Sequence, residues 1–273
     1  MSQTARAEAL HSPILLRETI GAVAVLTLNR PDARNSLSAA MIASMHAELN
    51  DIGGDKAVRG VVIAANGPAF SAGHDMKELT ARRSDADRGR AYFATLMNAC
   101  SAMMQAIVQL PKPVVAAVQG VATAAGCQLV ASCDLAVASE AATFATPGVD
   151  IGLFCSTPMV ALSRNVPRKQ ALEMLFTGDM IPAERAREIG LVNQVVAAGD
   201  ERDAAIALAQ KIARKSAFAI KLGKEAFYRQ AEMNLADAYR FTAEVMTENM
   251  MAFDAREGIG AFIEKREPKW RDE

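Results

Sequence analysis

The chain has 273 residues, enough to bury a substantial core as one large domain or as a domain with a smaller C-terminal attachment. Thirty basic side chains against 31 acidic ones leave a formal net charge of −1, so no global field favours nucleic acid or an anionic membrane, and an acidic ligand has to be held by local features. The four cysteines, Cys100, Cys127, Cys133 and Cys155, form no CxxC pair and meet no histidine at metal spacing, which indicates neither a disulfide framework nor a metal site and makes a reducing cytoplasm the simplest expectation. The opening "MSQTARAEALHSP" has no apolar stretch of signal-peptide length and reads as a loose tail over residues 1–13. A mitochondrial transit peptide is the alternative, against which its shortness and mild basicity count.

Strand and helix patterns alternate through the first two-thirds. "AVAVLTLNRP" (Ala22 to Pro31) is a strand stopped by its proline, and "SLSAAMIASMHAELNDIGG" a helix with Met41, Ile42, Met45 and Leu49 on one face, capped near Asn35 or Ser36. "RGVVIAAN" is a second buried strand, Asp87 to Leu110 a long helix, and "KPVVAAVQG" a third strand stopped by Gly120. "CDLAVASEAATFATP" supplies two short strands. After Arg164 helix follows helix, "RKQALEMLFTGD", "PAERAREIG", Asp200 to Lys215, Ser216 to Ala231 and Leu235 to Phe253, interrupted by a strand "LVNQVV". Repeated strand–helix units followed by a helical third predict an α/β core over residues 14–198 and a C-terminal helical region over 199–273. The longer apolar runs are broken by glycine, proline or charge, so no membrane span is expected.

Three segments pass from a strand through small residues into a helix: "LNRPDARNSLS", "AFSAGHDMKEL" and "VQGVATAAGCQL". Small residues let a ligand approach the backbone, and a helix N-terminus offers unpaired N–H groups, an arrangement suited to an oxyanion. Singly, each also reads as an ordinary tight turn.

These segments, in this order and with "FTGDMIPAERAREIGLVNQVV" and "EGIGAFIEKREPKW", resemble the enoyl-CoA hydratase/isomerase (crotonase) superfamily from about Leu15 to Trp270. The resemblance implies an α/β fold in which turns of two strands and a helix wind into a spiral, with C-terminal helices that make trimer contacts in a homo-trimer or hexamer. It implies an acyl-CoA thioester as ligand, with coenzyme A entering as part of the substrate and no prosthetic group. Two backbone N–H groups hold the thioester oxygen as it becomes an enolate, and the matching positions are His74 and Ala125. The imidazole of His74 invites a general-base reading, yet the family uses only the backbone there, and the ring has the alternatives of pointing away or lining the CoA channel. The CoA positions that match are Ala33, Arg34, Ala72, Asp75, Met76 and Lys77, with Phe262 and Lys265 reaching CoA from the C-terminal segment, often across a subunit boundary. Asp32 stands where the family often carries lysine. Solvated surface charge is the alternative reading of Lys77 and Lys265.

In hydratases of this family one glutamate follows "GGGC" and a second follows "QP" about twenty residues on. Here those places hold Gln128 and Gly148. Glutamine has no proton to transfer and glycine has no side chain. Each lost acid/base group costs about 10²–10⁴ in rate, so conventional hydration is expected to be very slow. Changing both positions to glutamate is expected to raise it, the backbone angle at Gly148 being the obstacle to watch. Asp150 is expected to have a structural role, and Cys155 to be a small buried thiol in preference to a thiolate at the next helix along with Ser156. The "FCSTP" segment resembles the enoyl-CoA hydratase domain-containing subgroup, whose reaction is undefined. Two functions stay open. One is an enzyme using the hole for an atypical reaction such as decarboxylation or thioester hydrolysis; the other is a non-catalytic acyl-CoA-binding or assembly subunit. The helix Ser36 to Asn50 has no lysine or arginine, which disfavours RNA binding.

Overall fold

The structure is a computed structural model that describes residues 13–273, so the expected tail lies almost wholly outside the described residues. Ten strands form two sheets. The larger has the order β1 (Leu15–Ile20), β2 (Val23–Leu28), β3 (Gly60–Ala65), β5 (Val114–Val118), β7 (Leu135–Ser139) and β10 (Gln194–Val196). It is parallel except for β1, which pairs antiparallel with β2. The smaller stacks β4 (Ala69–Ser71), β6 (Val121–Thr123), β8 (Thr143–Ala145) and β9 (Ile181–Pro182). The three turns that begin with β3, β5 and β7 each lay one strand in the large sheet, one in the small sheet and then a helix.

Strands β2, β3 and β5 are buried along nearly their whole lengths, as expected of parallel strands covered on both faces. On one face Leu26, Leu28, Val61, Ile63 and Val114 pack against α1 (Ala39–Gly54) and α3 (Arg90–Gln109). By length and composition α3 would suffice to cross a membrane, but its Leu96, Cys100, Met103, Met104 and Ile107 are buried in this core. On the other face Val23, Val25, Val62, Val115 and Val137 meet Ala205, Ile206 and Ala209 of α8 (Glu201–Ala213). That helix, the first of the C-terminal helical region expected from 199, covers this face of the core sheet.

The remaining helices are α2 (Met76–Ala81), α4 (Ala125–Ser132), α5 (Pro158–Asn165), α6 (Arg168–Thr177), α7 (Ala183–Glu188), α9 (Ala217–Gln230), α10 (Leu235–Met251) and α11 (Phe253–Glu264). α9 is tied to the core by a buried cluster in which Lys224 Nζ donates to the Ile107 and Lys112 carbonyls and pairs with Asp134 at 2.7 Å, while Tyr228 donates to the same carboxylate at 2.8 Å. The α1 cap is Ser38, whose hydroxyl accepts from Met41 N–H, and neither Asn35 nor Ser36. Asn35 is spent elsewhere: its amide donates to the Asn66 and Ala69 carbonyls and accepts from Arg30 N–H.

Candidate active site

The site is built where three loops from successive turns of the spiral are sewn together by backbone bonds. Ala72 N–H donates to the Arg34 carbonyl at 3.0 Å, and Leu37 N–H to the Gly73 carbonyl at 2.8 Å. The Ser71 hydroxyl adds a bond to the Asn35 carbonyl. Ala33, Arg34, Ala72, Asp75, Met76 and Lys77 are thereby gathered along one seam, with Met76 and Lys77 exposed. Asp75 is the N-cap of α2: its carboxylate accepts from Lys77 and Glu78 N–H, pairs with Arg30 at 3.2 Å and accepts from Ser36. Burial works against the charge, but the Glu78 N–H, Arg30 and Ser36 hold its carboxyl below the ordinary carboxylate value.

The third loop is the turn before α4. Ala124 anchors it, its N–H donating to the Ala145 carbonyl of β8 and its carbonyl accepting from Gln128 N–H, both at 3.0 Å. Ala125 is the first helical residue, and Ala124 provides no side-chain cap. The two turns touch closely. A Cβ added at Gly73 (φ +87°) would stand 2.9 Å from Ala124 Cβ and 3.2 Å from Ala125 N, and one added at Gly126 would collide with the Ser71 carbonyl oxygen. Only glycine at 73 and 126 lets the seams meet. Within this junction, neither His74 N–H nor Ala125 N–H donates to an acceptor among the described residues. The bridge from Leu37 to His74 uses the groups on either side of His74, which leaves its own N–H on the face away from Leu37. Ala125 N–H stands at the buried start of α4 and the half-buried His74 just ahead of the Asp75 cap of α2, and unpaired backbone donors of this kind suit an oxyanion.

The family described as enoyl-CoA hydratase/isomerase matches residues 18–273. The chain belongs to this family. A human relative, enoyl-CoA hydratase domain-containing protein 3, mitochondrial, is 47% identical over 248 residues, spanning 91% of this chain and 80% of that one. The Xenopus laevis protein of the same name is 47% identical across 95% of this chain and 87% of its own. Among solved structures, an enoyl-CoA hydratase from Mycobacterium smegmatis superposes with a TM-score of 0.89 at 49% identity, covering 95% of this chain and 99% of that one. The human domain-containing protein 3 structure does so with 0.89 at 45%, covering 94% and 100%. The spiral is thus the crotonase fold, and the human and Xenopus laevis relatives carry the name of the subgroup suggested by "FCSTP".

The cytoplasmic expectation is corrected by the same findings. Five relatives at 44–47% identity are mitochondrial by name, which points to a mitochondrial setting. Unpaired cysteines require only a reducing compartment, so they could not separate the two.

The positions that match the hydratase glutamates lie deep in this family site. Gln128 is buried in α4 and its Oε1 has no hydrogen-bond partner. Gly148 is buried in the turn Pro147–Ile151. Its φ is not positive, so backbone angle is not what opposes a side chain there. Space is: an added Cβ would stand 3.0 Å from Cys155 Sγ, 3.1 Å from the Leu153 carbonyl oxygen and 3.2 Å from Cys155 N. Cys155 fills the room a residue-148 side chain would need. Burial raises the Cys155 pKa, with the Gly148 N–H opposing, and pushes Cys127 up to about 12, so both remain thiols. Asp150 is exposed, its carboxylate set against the Gly178 turn, where an added Cβ would come within 3.1 Å of Oδ2. The Ser156 hydroxyl donates to the Phe154 carbonyl.

Phe262 and Lys265 sit at the end of α11, which packs chiefly on α10 and α9. Phe262 is 85% exposed. Sequence reasoning missed the surroundings of His74. Its Nδ1 lies 3.3 Å from the Leu37 carbonyl oxygen, its Nε2 is buried without a partner, and Glu78 is the charged group whose field reaches it. A backbone carbonyl brought in by a bridge leaves no signal in residue type; the i,i+4 spacing of His74 and Glu78 is a faint one.

Proposed function

We propose that this protein binds an acyl-CoA thioester and stabilises its enolate, the thioester oxygen accepting from the N–H groups of His74 and Ala125. The observation that carries the reading is the pair of unpaired N–H groups at a junction that Gly73 and Gly126 alone permit. A donor fixed before reaction is worth about 3 kcal/mol of transition-state stabilisation. The CoA portion would follow the seam of Ala33, Arg34, Ala72, Asp75, Met76 and Lys77. Arg34 is exposed with a left-handed backbone (φ 49°) and has no side-chain ion pair among the described residues, leaving its charge for a phosphate. Asp75 would contribute by holding the α2 turn in place.

Phe262 and Lys265 would complete the site of a neighbouring copy in a trimer or hexamer. The exposed Leu235, Tyr239, Met246, Met251, Phe262 and Ile263 supply the apolar surface that such an assembly would cover. Ordinary hydration would be very slow, since Gln128 cannot exchange a proton and Cys155 stands where a carboxylate at 148 would reach. The same two residues favour a second reading, a non-catalytic acyl-CoA binder. The names of the mitochondrial relatives support a mitochondrial setting for either role.

Titration calorimetry with acyl-CoA and with free CoA tests the binding. Acyl-CoA is expected to bind at least about tenfold more tightly, equivalent to 1.4 kcal/mol for the seated thioester. Equal affinity would remove the thioester site.

A further inference from the structure

We propose that the His74 imidazole is the proton-transfer group of this site: Nε2 takes a proton from C2 of the acyl-CoA held by the His74 and Ala125 N–H groups, and returns it to C2 or delivers it to C4. The inference rests on the acyl-CoA reading above and adds to it a base and a reaction class.

Geometry fixes which nitrogen is free. The partner of Nδ1 is a backbone carbonyl, which can only accept, so Nδ1 carries the hydrogen and Nε2 bears the lone pair. Nε2 is buried and has no protein partner, a costly state for a basic nitrogen unless a ligand supplies the missing contact. The ring hangs on the residue whose N–H lines the hole. A thioester oxygen about 3 Å from that N–H puts C1 and C2 one and two bonds further on, within the span of a side chain at 74. No other side chain described at the hole offers a base: Gln128 is an amide, position 148 has no side chain, and Cys155 and Cys127 are held as thiols.

The titratable and charged groups about the ring suit this role. Glu78 of α2 accepts from Ala39 N–H at 3.1 Å and its charge favours the imidazolium. Tyr92 of α3 stands beside Glu78, with the Arg82 guanidinium 4.7 Å over its ring. Burial is the larger influence on His74 and lowers its pKa from 6.5, so the ring is a neutral base at pH 7 while Glu78 stabilises the cation that forms.

The chemistry balances without a co-reactant. The C2–H bond breaks, the proton goes to Nε2, its electron pair forms C1=C2, and the carbonyl π pair moves onto the oxygen in the hole. With a 3-enoyl thioester the imidazolium delivers its proton to C4, and the dienolate collapses to the conjugated 2-enoyl thioester. With a saturated thioester the proton returns to C2 and shows as exchange with solvent. Hydration needs a group to activate water and a group to deliver a proton, whereas this isomerisation needs one base, which is what the site holds.

The test uses the full chain in deuterium oxide with a saturated acyl-CoA and a 3-enoyl-CoA. The readouts are C2 deuteration by mass spectrometry and growth of conjugated-thioester absorbance. His74→Asn keeps the backbone N–H and an amide donor for the Leu37 carbonyl but removes the base. His74→Ala, with the same N–H, replaces it if the asparagine variant melts early. Both reactions are expected to fall about 10²–10⁴-fold, with acyl-CoA affinity within about threefold of the parent, a shift of under 1 kcal/mol. The parent rate should rise to a plateau reached below pH 6.5, a limb the variants lack. If acyl-CoA binds no better than free CoA, the acyl-CoA reading fails and takes this one with it. If binding is normal but the parent neither exchanges nor isomerises, or the variants keep its rate, the base assignment alone is overturned.

Discussion

Ala124 holds a backbone conformation, φ 50° and ψ −118°, that belongs to glycine, and replacing it with glycine is expected to stabilise the fold. The strain released is about 1–3 kcal/mol. Against it stand the added freedom of glycine in the unfolded chain, about 0.5–1 kcal/mol, and part of one methyl group's burial, about 0.4 kcal/mol from a full value of about 0.8 kcal/mol. The methyl packs at the edge of the main core, so the loss is partial. The balance is about 1 kcal/mol in favour of glycine, a rise of about 2–4 °C in melting midpoint for a chain of this size. Calorimetry at fixed protein concentration, without ligand, measures it, and concentration has to be fixed because assembly itself stabilises. The bonds from Ala124 N–H to Ala145 and from Gln128 N–H to Ala124 use only the backbone and survive the change. Acyl-CoA affinity should therefore persist. A fall in midpoint would refute the strain assigned to Ala124.

Gly73→Ala should do the reverse, adding strain at φ +87° and a contact of 2.9 Å with Ala124 Cβ, for a loss of about 3 kcal/mol and of thioester selectivity in calorimetry. Restoring carboxylates by Gln128→Glu with Gly148→Glu should leave crotonyl-CoA hydration unraised and lower stability by about 1–3 kcal/mol, because Cys155 and the Leu153 carbonyl occupy the space; a clear gain in hydration would mean that the 153–155 segment yields. Asp134→Ala, which strips the partner from a Lys224 side chain only 8% exposed, should cost about 3–5 kcal/mol in denaturant unfolding and loosen α9 first in hydrogen exchange. For His74, whose pKa is lowered on folding, the unfolded chain takes up the proton first as pH falls, so stability should drop below about pH 6.5, and His74→Asn should lose less between pH 7 and 5 in paired melts.

The large sheet was legible because its strands are runs of β-branched and apolar residues ended by turn residues, and Val23–Leu28, Gly60–Ala65 and Val114–Val118 fall inside the expected spans. β1 was not, since an edge strand whose Leu15–Ile20 is half-buried at best has no long apolar run to give it away. Strands of two or three residues, as in the small sheet, are too short to show a period; β8 falls inside the two short strands expected in "CDLAVASEAATFATP", while β4 and β6 lie in segments expected only to pass from a strand through small residues into a helix. α8 was expected as a helix with its layer left open. Its apolar stripe of Ala205, Ile206 and Ala209 fits a sheet or a neighbouring helix equally well, and only the tertiary arrangement chooses.

At the site, the positions in the sequence and the contacts between them differ in how they can be known. His74 and Ala125 are fixed by family pattern, and the structure supplies what makes them neighbours: a glycine whose added carbon would meet both Ala124 and the Ala125 nitrogen. The Leu37 carbonyl against His74 and the Cys155 sulfur against Gly148 are contacts between segments far apart in sequence, and no local pattern encodes either. In the proposed reading, the outcome follows from what the hole would be made of. Its donors would be main-chain groups set by close packing of small residues, so the side chains around it could change without dismantling it. A site without both carboxylates would then keep the ability to hold an enolate, and the proposed proton transfer would pass to His74; the variants that spare its N–H separate the two contributions.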